Sequence, residues 1–416
     1  MAPTQELPVR IATVGAAFSA NKGAASMVQA VVDTLPARLG KCEIDVLTTY
    51  PVEDRAQEPG DPVRIVSLQP RQLVFPVLPI ALLAWVVRRL GGSDKGIARR
   101  HPATRSLAEA DVVLDLAGIS FAHGRGFPIL VYNVLMTGVP LLLGATVIKC
   151  SQAIGPFRGG LNRRAARFIL PRLEAVLTRG ARTHEHALSL GLTNAHRADD
   201  LAFLMQLPEE AVREAKELLD RVNRPFIIVA PSSVVRRYCS EHDLDYVDML
   251  STFVRRCRET HDVDVVILPH SARPGMPESR MNDLPVCRDL HAAVGEDAGV
   301  HLVDRNLGPT QLRALIAEAS SLVTSRFHAM ISALATTTPV LVVGWSHKYE
   351  EVLDEFEQSQ HALSYDEFTA EELEARFERL WNDRDDVVEA ISRALPPARE
   401  RAERNLEVVV AAIRDA

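Results

Sequence analysis

Short runs of β-branched and apolar residues alternate with helical patterns along most of the chain. VRIATVG (9–15) reads as a strand and AASMVQAVVDTLPARL (24–39) as the helix after it. CEIDVLTTY (42–50), PVRIVSL (62–68), DVVLDLAG (111–118), LLLGATVIKCSQAIGPF (141–157) and AVLTRGAR (175–182) continue the alternation. Strands separated by helices of this length pair in parallel, with the crossover helices on both faces of the sheet. The rhythm pauses in DDLAFLMQLPEEAVREAKELLDRVNRP (199–225) and restarts at FIIVAPSS (226–233), followed by VDVVILPH (263–270), VHLVD (300–304), SLVTS (321–325) and PVLVVGW (339–345). A chain of 416 residues exceeds one ordinary core. The expected architecture is α/β, with two Rossmann-like domains facing each other across a cleft. Their expected ranges are 1–205 and 206–416, the helices after about 366 packing back on the first. Ligand loops then belong at the carboxyl ends of the parallel strands.

Net charge is −7, which leaves no basic surplus for a nucleic acid backbone. Cysteines 42, 150, 239, 257 and 287 lack paired or CxxC spacing, which argues against zinc and against a disulfide framework. The stretch MAPTQELPVRIATVG has no basic region followed by an apolar run, so no signal peptide is expected. The reading is a cytoplasmic protein, with contact at the inner face of a membrane as a further option. LVFPVLPIALLAWVV (73–87) is the most membrane-like segment, and it reads as too short for a span and as buried or interfacial. Arginine clusters at 88–90, 98–100 and 162–167 suit solvated helix faces or, less often, a membrane surface. The sequence is compatible with a monomer or an oligomer.

The stretch SRFHAMISALATTTPVLVVG (325–344) carries the sharpest chemical signal. Ser325 is the expected N-cap, and Phe327, Met330, Ile331 and Leu334 give the helix an apolar stripe. Arg326 and His328 fall in the first turn, where unpaired backbone N–H groups and the helix dipole favour an anion. A guanidinium fork suits carboxylate or phosphate, and an imidazole moves protons near neutral pH. The structural alternative is a surface arginine and a histidine satisfied by a backbone carbonyl.

Extended to SRFHAMISALATTTPVLVVGWSHKYEEVLDEF, this stretch resembles the C-terminal signature of the polysaccharide pyruvyl transferase family, a GT-B-like group. NKGAASMVQAVVDTL (21–35), SQAIGPF (151–157), ARTHEHALSLGL (181–192), DDLAFLM (199–205), APSS (230–233) and ILPHS (267–271) agree in order. The resemblance implies a transferase that moves the carbons of phosphoenolpyruvate onto two hydroxyls of a sugar in a glycan or glycolipid precursor, forming a ketal. No cofactor is implied beyond phosphoenolpyruvate as co-substrate, and no metal, since no acidic ligand cluster is evident. His328 is the expected acid/base. Arg326, Ser232, Ser233, His270 and Lys348 are the expected donor-binding residues, with Arg236 and Arg237 adding charge. Capping alone would also explain the serines, and a strand-end histidine is often structural. Asn21, Lys22, Gly23, Asp115, Gly118 and Arg182 are expected on the acceptor side, in the first domain. Asp115, inside a strand, must be paired or line the cleft.

Two loops depart from the family pattern. The early loop reads Asn21-Lys22-Gly23-Ala24-Ala25 where Asn-x-Gly-Asp-Glu is usual, and LAGIS keeps only Gly118 of a usual Gly-Gly-Gly. Two other readings follow: a nucleotide-sugar glycosyltransferase of GT-B shape, or a sugar- or phosphate-binding protein that has lost catalysis. The first needs a ribose-binding glutamate, for which Glu350 and Glu351 are the nearest candidates. His184 and His186, two apart on a helix, have the wrong spacing for a metal.

Overall fold

Every crossover between neighbouring strands is parallel, in each of two separate sheets. The computed structural model describes residues 7–19, 21–273, 275–279, 282–344, 348–366 and 368–415. Trp345–His347 of the C-terminal signature, and part of the loop 271–285, lie outside the described residues. The chain divides into two compact units: residues 1–19, 27–205 and 399–416, and residues 20–26 and 206–398.

The first unit contains β1 (Val9–Val14), β2 (Cys42–Thr48), β3 (Val63–Ser67), β4 (Val112–Asp115), β5 (Ile119–Ser120), β6 (Val147–Ile154), β7 (Ala175–Arg179) and β8 (Ala195–Ala198). Their order is β3-β2-β1-β4-β6-β7-β8, with β5 paired to β6. All four residues of β4 are buried, as a parallel strand covered on both faces requires. The strand order reverses between β1 and β4, so the loops after Val14 and Asp115 meet at one place. Gly15 makes that meeting possible. Its φ is +82°, and a Cβ there would stand 2.8 Å from the Ala117 nitrogen, so only glycine fits.

The helix Pro70–Arg89 runs for 20 residues, longer than the apolar run of the sequence suggests. A π-helical turn at Leu73–Val77, containing Pro76, carries it past its prolines. Leu73, Val77, Ala81 and Ala84 form its buried stripe, and it packs on the helix Phe127–Leu143. Arg88 fixes that pairing by donating to the carbonyls of Leu142 (2.8 Å) and Leu143 (2.9 Å). Those carbonyls end the neighbouring helix and would otherwise lack donors.

The second unit contains β9 (Phe226–Ala230), β10 (Asp264–Ile267), β11 (Val300–Leu302), β12 (Ser321–Thr324), β13 (Val340–Gly344) and β14 (Ala362–Ser364). Their order is β11-β10-β9-β12-β13-β14, again all parallel. Here the order reverses between β9 and β12. Ser232, Ser233, Arg326 and His328 therefore leave adjacent strand ends, where α/β sheets hold their ligands. The last helix, Arg384–Arg414, contributes residues to both units.

Candidate functional site

At the β9/β12 switch point the helix Phe327–Ala335 begins, and its cap is Arg326 rather than Ser325. The Ser325 hydroxyl is engaged by the Tyr246 hydroxyl at 2.8 Å instead, and its carbonyl accepts from the Tyr349 hydroxyl at 3.2 Å. Thr324 Oγ1 accepts from the Arg326 N–H at 3.0 Å, which fixes the turn out of the strand. The cap slot thus goes to a long side chain whose guanidinium points inward.

Its partner is Asp283, to which the sequence alone gives no role. Arg326 Nε donates to Asp283 Oδ2 at 2.7 Å, and Nη2 pairs with Oδ1. The result is a two-point contact with a fully buried carboxylate. Ser233 completes the cluster: its N–H donates to Asp283 Oδ1 at 3.0 Å, and Arg326 Nη2 reaches its Oγ at 3.4 Å. Burial disfavours the charge on Arg326, and Asp283 outweighs that effect, holding the guanidinium above its ordinary pKa. Expected as a direct anion holder, Arg326 is instead committed first to a carboxylate. Asp283 opens the helix Leu284–Val294 but makes no side-chain cap bond there, because its oxygens serve Arg326 and Ser233. Pro285 in the first turn signals that helix start. Nothing local signals a pairing 43 residues away.

Ser232 caps the helix Ser233–Ser240, its Oγ accepting from Val234 N–H at 3.2 Å. Arg236 binds Glu278 at 3.0 Å and Asp289 at 2.6 Å, while Arg237 lies within 3.6 Å of Glu241. Both arginines are thus matched by acids and add little net charge to a donor pocket.

His328 packs edge-on against Phe327, ring centroids 5.1 Å apart. Lys348 opens the helix Lys348–Glu355 and sets its ammonium 4.8 Å from the Phe327 ring centre. One aromatic thus links lysine and histidine. His270, three residues past β10, is buried. Burial first, then the charges of His328, Arg326 and Lys22, push its imidazole down to about 3, so it is neutral at physiological pH.

The early loop supplies the remaining pieces. Asn21, Lys22 and Gly23 were expected with the first domain, yet residues 20–26 belong to the second unit. Asn21 forms a β-bridge with Ser271, which anchors the loop beside His270. Gly23 lies on the His328 imidazole so closely that a Cβ there would stand 2.0 Å from Nδ1. Lys22 is buried, and its charge acts on His270. These three residues therefore join the residues around His328 and His270 rather than those of the first unit. Around His328 and His270, Lys22, Arg326 and Lys348 bring positive charge against the Asp283 carboxylate, a balance suited to an anion.

The acceptor-side expectations fare differently. Asp115 is buried, and its carboxylate accepts from Lys149 Nζ, Gln152 Nε2 (2.7 Å), Thr137 Oγ1 (3.1 Å) and the Ala117 N–H (3.2 Å). A carboxylate so fully engaged shapes the loop rather than offering itself to a ligand. Arg182 is exposed on the helix Ala181–Ser189, and the buried strand-end arginine is Arg179, bound to Asp200 at 2.6 Å. Gly118 offers its carbonyl to Arg179 at 3.3 Å, and its missing Cβ would meet only the Met27 methyl, at 3.8 Å. Lys149, Gln152 and Arg179 went unrecognised, since single polar residues inside apolar strands carry no pattern. Gly155 of IGPF packs on His186 of the HEHAL helix, so two of the quoted motifs meet. Nearby, a cavity of about 300 Å³ opens between Phe121, His123, Arg125, Asn133, Arg158 and Asn162. Among the described residues no cluster of histidine, cysteine or acidic side chains is arranged to hold a metal.

The sequence signature of polysaccharide pyruvyl transferases matches residues 21–347, most of the chain. The chain belongs to the polysaccharide pyruvyl transferase family. It is a transferase, and the family acts on polysaccharides. No curated protein sequence matches it. Among solved structures it is similar to a UDP-GlcNAc 2-epimerase from Neisseria meningitidis bound to UDP-GlcNAc. That match has 10% identity and a TM-score of 0.62, and covers 98% of this chain and 100% of that one. It is also similar to the α,α-trehalose 6-phosphate synthase from Burkholderia multivorans, at 11% identity and TM-score 0.54, covering 98% of this chain and 99% of that one. At such identities the likeness establishes fold alone. The transferase has the GT-B-like architecture of two Rossmann-like domains.

Proposed function

We propose that this transferase moves pyruvate from phosphoenolpyruvate to two hydroxyls of a sugar in a glycan or glycolipid precursor, in the cytoplasm and without a cofactor. The supporting observation is the position of His328, at the mouth of a helix amid Lys22, Lys348 and the Arg326–Asp283 pair. Phosphoenolpyruvate carries a carboxylate and a phosphate, so it requires a cationic pocket with a proton donor beside it.

In this reading His328 protonates C3 of the enol, and positive charge develops at C2. A sugar hydroxyl attacks C2 and gives up its proton to the imidazole just emptied. The C2–O bond to phosphate then breaks, helped by the surrounding cations and the helix start. A second hydroxyl closes the ketal, and its proton leaves with the phosphate. One imidazole, used first as acid and then as base, serves the whole sequence. Arg326, clamped by Asp283, presents a fixed rather than a searching charge, which lowers the reorganisation needed as phosphate departs.

His328→Ala should lower turnover by about 10²-fold or more while the melting temperature holds. Phosphate release from phosphoenolpyruvate with a pool of envelope glycan precursors measures this. Turnover within a few-fold of the parent would remove His328 from the mechanism. Stabilisation by nucleotide sugars and none by phosphoenolpyruvate in a thermal shift would favour the glycosyltransferase reading.

A further inference from the structure

The first unit carries a surface that the transfer chemistry does not use. On the helix Pro70–Arg89 the stripe Leu73, Val77, Ala81 and Ala84 faces the core, but the opposite side is also apolar. Phe75, Pro79, Leu82 and Val86 follow one another at helical spacing on that side and are exposed, Phe75 at 72%. The helix Phe127–Leu143, against which it packs, begins with Phe127 at 65% exposure, and the adjoining helix Gly160–Ile169 exposes Leu161 and Phe168. Exposed aromatic and aliphatic residues on successive packed helices mark an interaction surface.

Charge identifies what covers it. Residues 70–172 contain 14 Lys and Arg against 4 Asp and Glu, in a chain whose net charge is −7. Arg89, Arg163, Arg164 and Arg167 are exposed near the apolar residues, and the Arg172 guanidinium lies 4.0 Å from the Phe168 ring centre. An apolar face rimmed by arginine matches an anionic bilayer, where acyl chains take the rings and headgroups take the cations.

We propose that the first unit docks peripherally on an anionic phospholipid membrane through the outward side of Pro70–Arg89, the exposed start of Phe127–Leu143 and the exposed residues of Gly160–Ile169. By length and composition Pro70–Arg89 is the one helix among the described residues apolar enough to cross a membrane. It lies on the surface instead, because its inner stripe belongs to the core of the unit and Arg88 is tied to the carbonyls of Leu142 and Leu143. Spanning would pull those residues out of the protein.

Flotation of the full-length protein with vesicles tests this. With phosphatidylcholine–phosphatidylglycerol vesicles the protein should float, and with phosphatidylcholine alone it should stay largely in the aqueous layer. High salt should weaken the binding, and Arg163→Glu/Arg164→Glu should weaken it by roughly fivefold or more per arginine. Phe75→Ser/Leu82→Ser should lose about tenfold. All variants should keep phosphate release from soluble substrates. Should the apolar pair misfold, the exposed arginine pair decides alone. Absence of flotation, equal binding to neutral vesicles, or resistance to alkaline extraction would each overturn the proposal. So would a protein dimer abolished by these same substitutions without vesicle binding.

Discussion

Asp283 and Arg326 form a buried two-point ion pair in the second unit, and each depends on the other. Asp283→Asn removes the charge and turns an amide NH2 toward the largely buried guanidinium, while its one remaining oxygen can still accept from the Ser233 N–H, so it should cost about 3–5 kcal/mol of stability. Chemical denaturation measures this, and a loss under about 1 kcal/mol would show that the pair is idle. Arg326→Ala is the poorer probe of donor binding, since it strands the buried Asp283 carboxylate. His270 adds a pH dependence whose sign is fixed. Its folded pKa is lowered to about 3, so on acidification the unfolded chain takes up the proton first. The stability it contributes is present above the ordinary histidine pKa and is lost as pH falls from there toward 3. His270→Asn should therefore flatten the fall in unfolding free energy between about pH 6.5 and 4 by up to about 1.4 kcal/mol per pH unit. An unchanged slope would mean that His270 titrates normally. The arginine and histidine of the C-terminal signature were legible because a helix start has a recognisable pattern. Asp283 was not, because a contact across 43 residues leaves no local trace.

Helix starts gather the candidate site of the second unit, and the helix Lys22–Leu39 shows how closely they are fitted. Gly23, in its first turn, is the residue against His328. Gly23→Ala puts a methyl 2.0 Å from His328 Nδ1 and 2.4 Å from its Cγ, a clash that outweighs alanine's helix preference, so the chain should fold with a lowered melting temperature. It should also cut turnover sharply, because the added methyl must displace the imidazole. Steady-state kinetics beside a thermal melt separates the two effects, and unchanged kcat would show that the position of His328 is unimportant. Alternation alone foretold the parallel strands, because a strand buried on both faces reads as an unbroken apolar run. The sequence reading put the Lys22 loop with the first domain by chain order, whereas a β-bridge from Asn21 to Ser271 holds it in the second unit. Backbone pairing of that kind leaves no mark on side-chain pattern. Asp115, inside its strand, had to be paired or line the cleft, and it is paired with Lys149, whose own place inside an apolar strand gives no sign of the contact.

Across the whole molecule the chain returns to the first unit at its end. Asn405, with no exposed surface, accepts from the Ser151 N–H at 3.0 Å and donates to the Asp199 carbonyl at 3.0 Å, while Arg401 binds the Asp199 carboxylate at 2.8 Å. The acidic pair of DDLAFLM is thereby divided, Asp199 serving the terminal helix and Asp200 serving Arg179. Asn405→Leu strands the buried Ser151 N–H and takes one of two donors from the Asp199 carbonyl, which keeps the Ser151 hydroxyl at 3.0 Å, and should lower stability by about 1–3 kcal/mol. Urea unfolding measures this, and a change below about 1 kcal/mol would mean that the terminal segment is dispensable to the first unit. At this scale the central claim is that the second unit alone builds the donor site, from the switch point of its sheet and the loop at Asn21. A co-crystal with phosphoenolpyruvate tests that most directly. The account predicts the three-carbon acid within hydrogen-bonding reach of His328, its anionic groups toward Lys348 and the start of the helix Phe327–Ala335. Phosphoenolpyruvate bound away from His328, or a nucleotide sugar occupying that place in its stead, would contradict it.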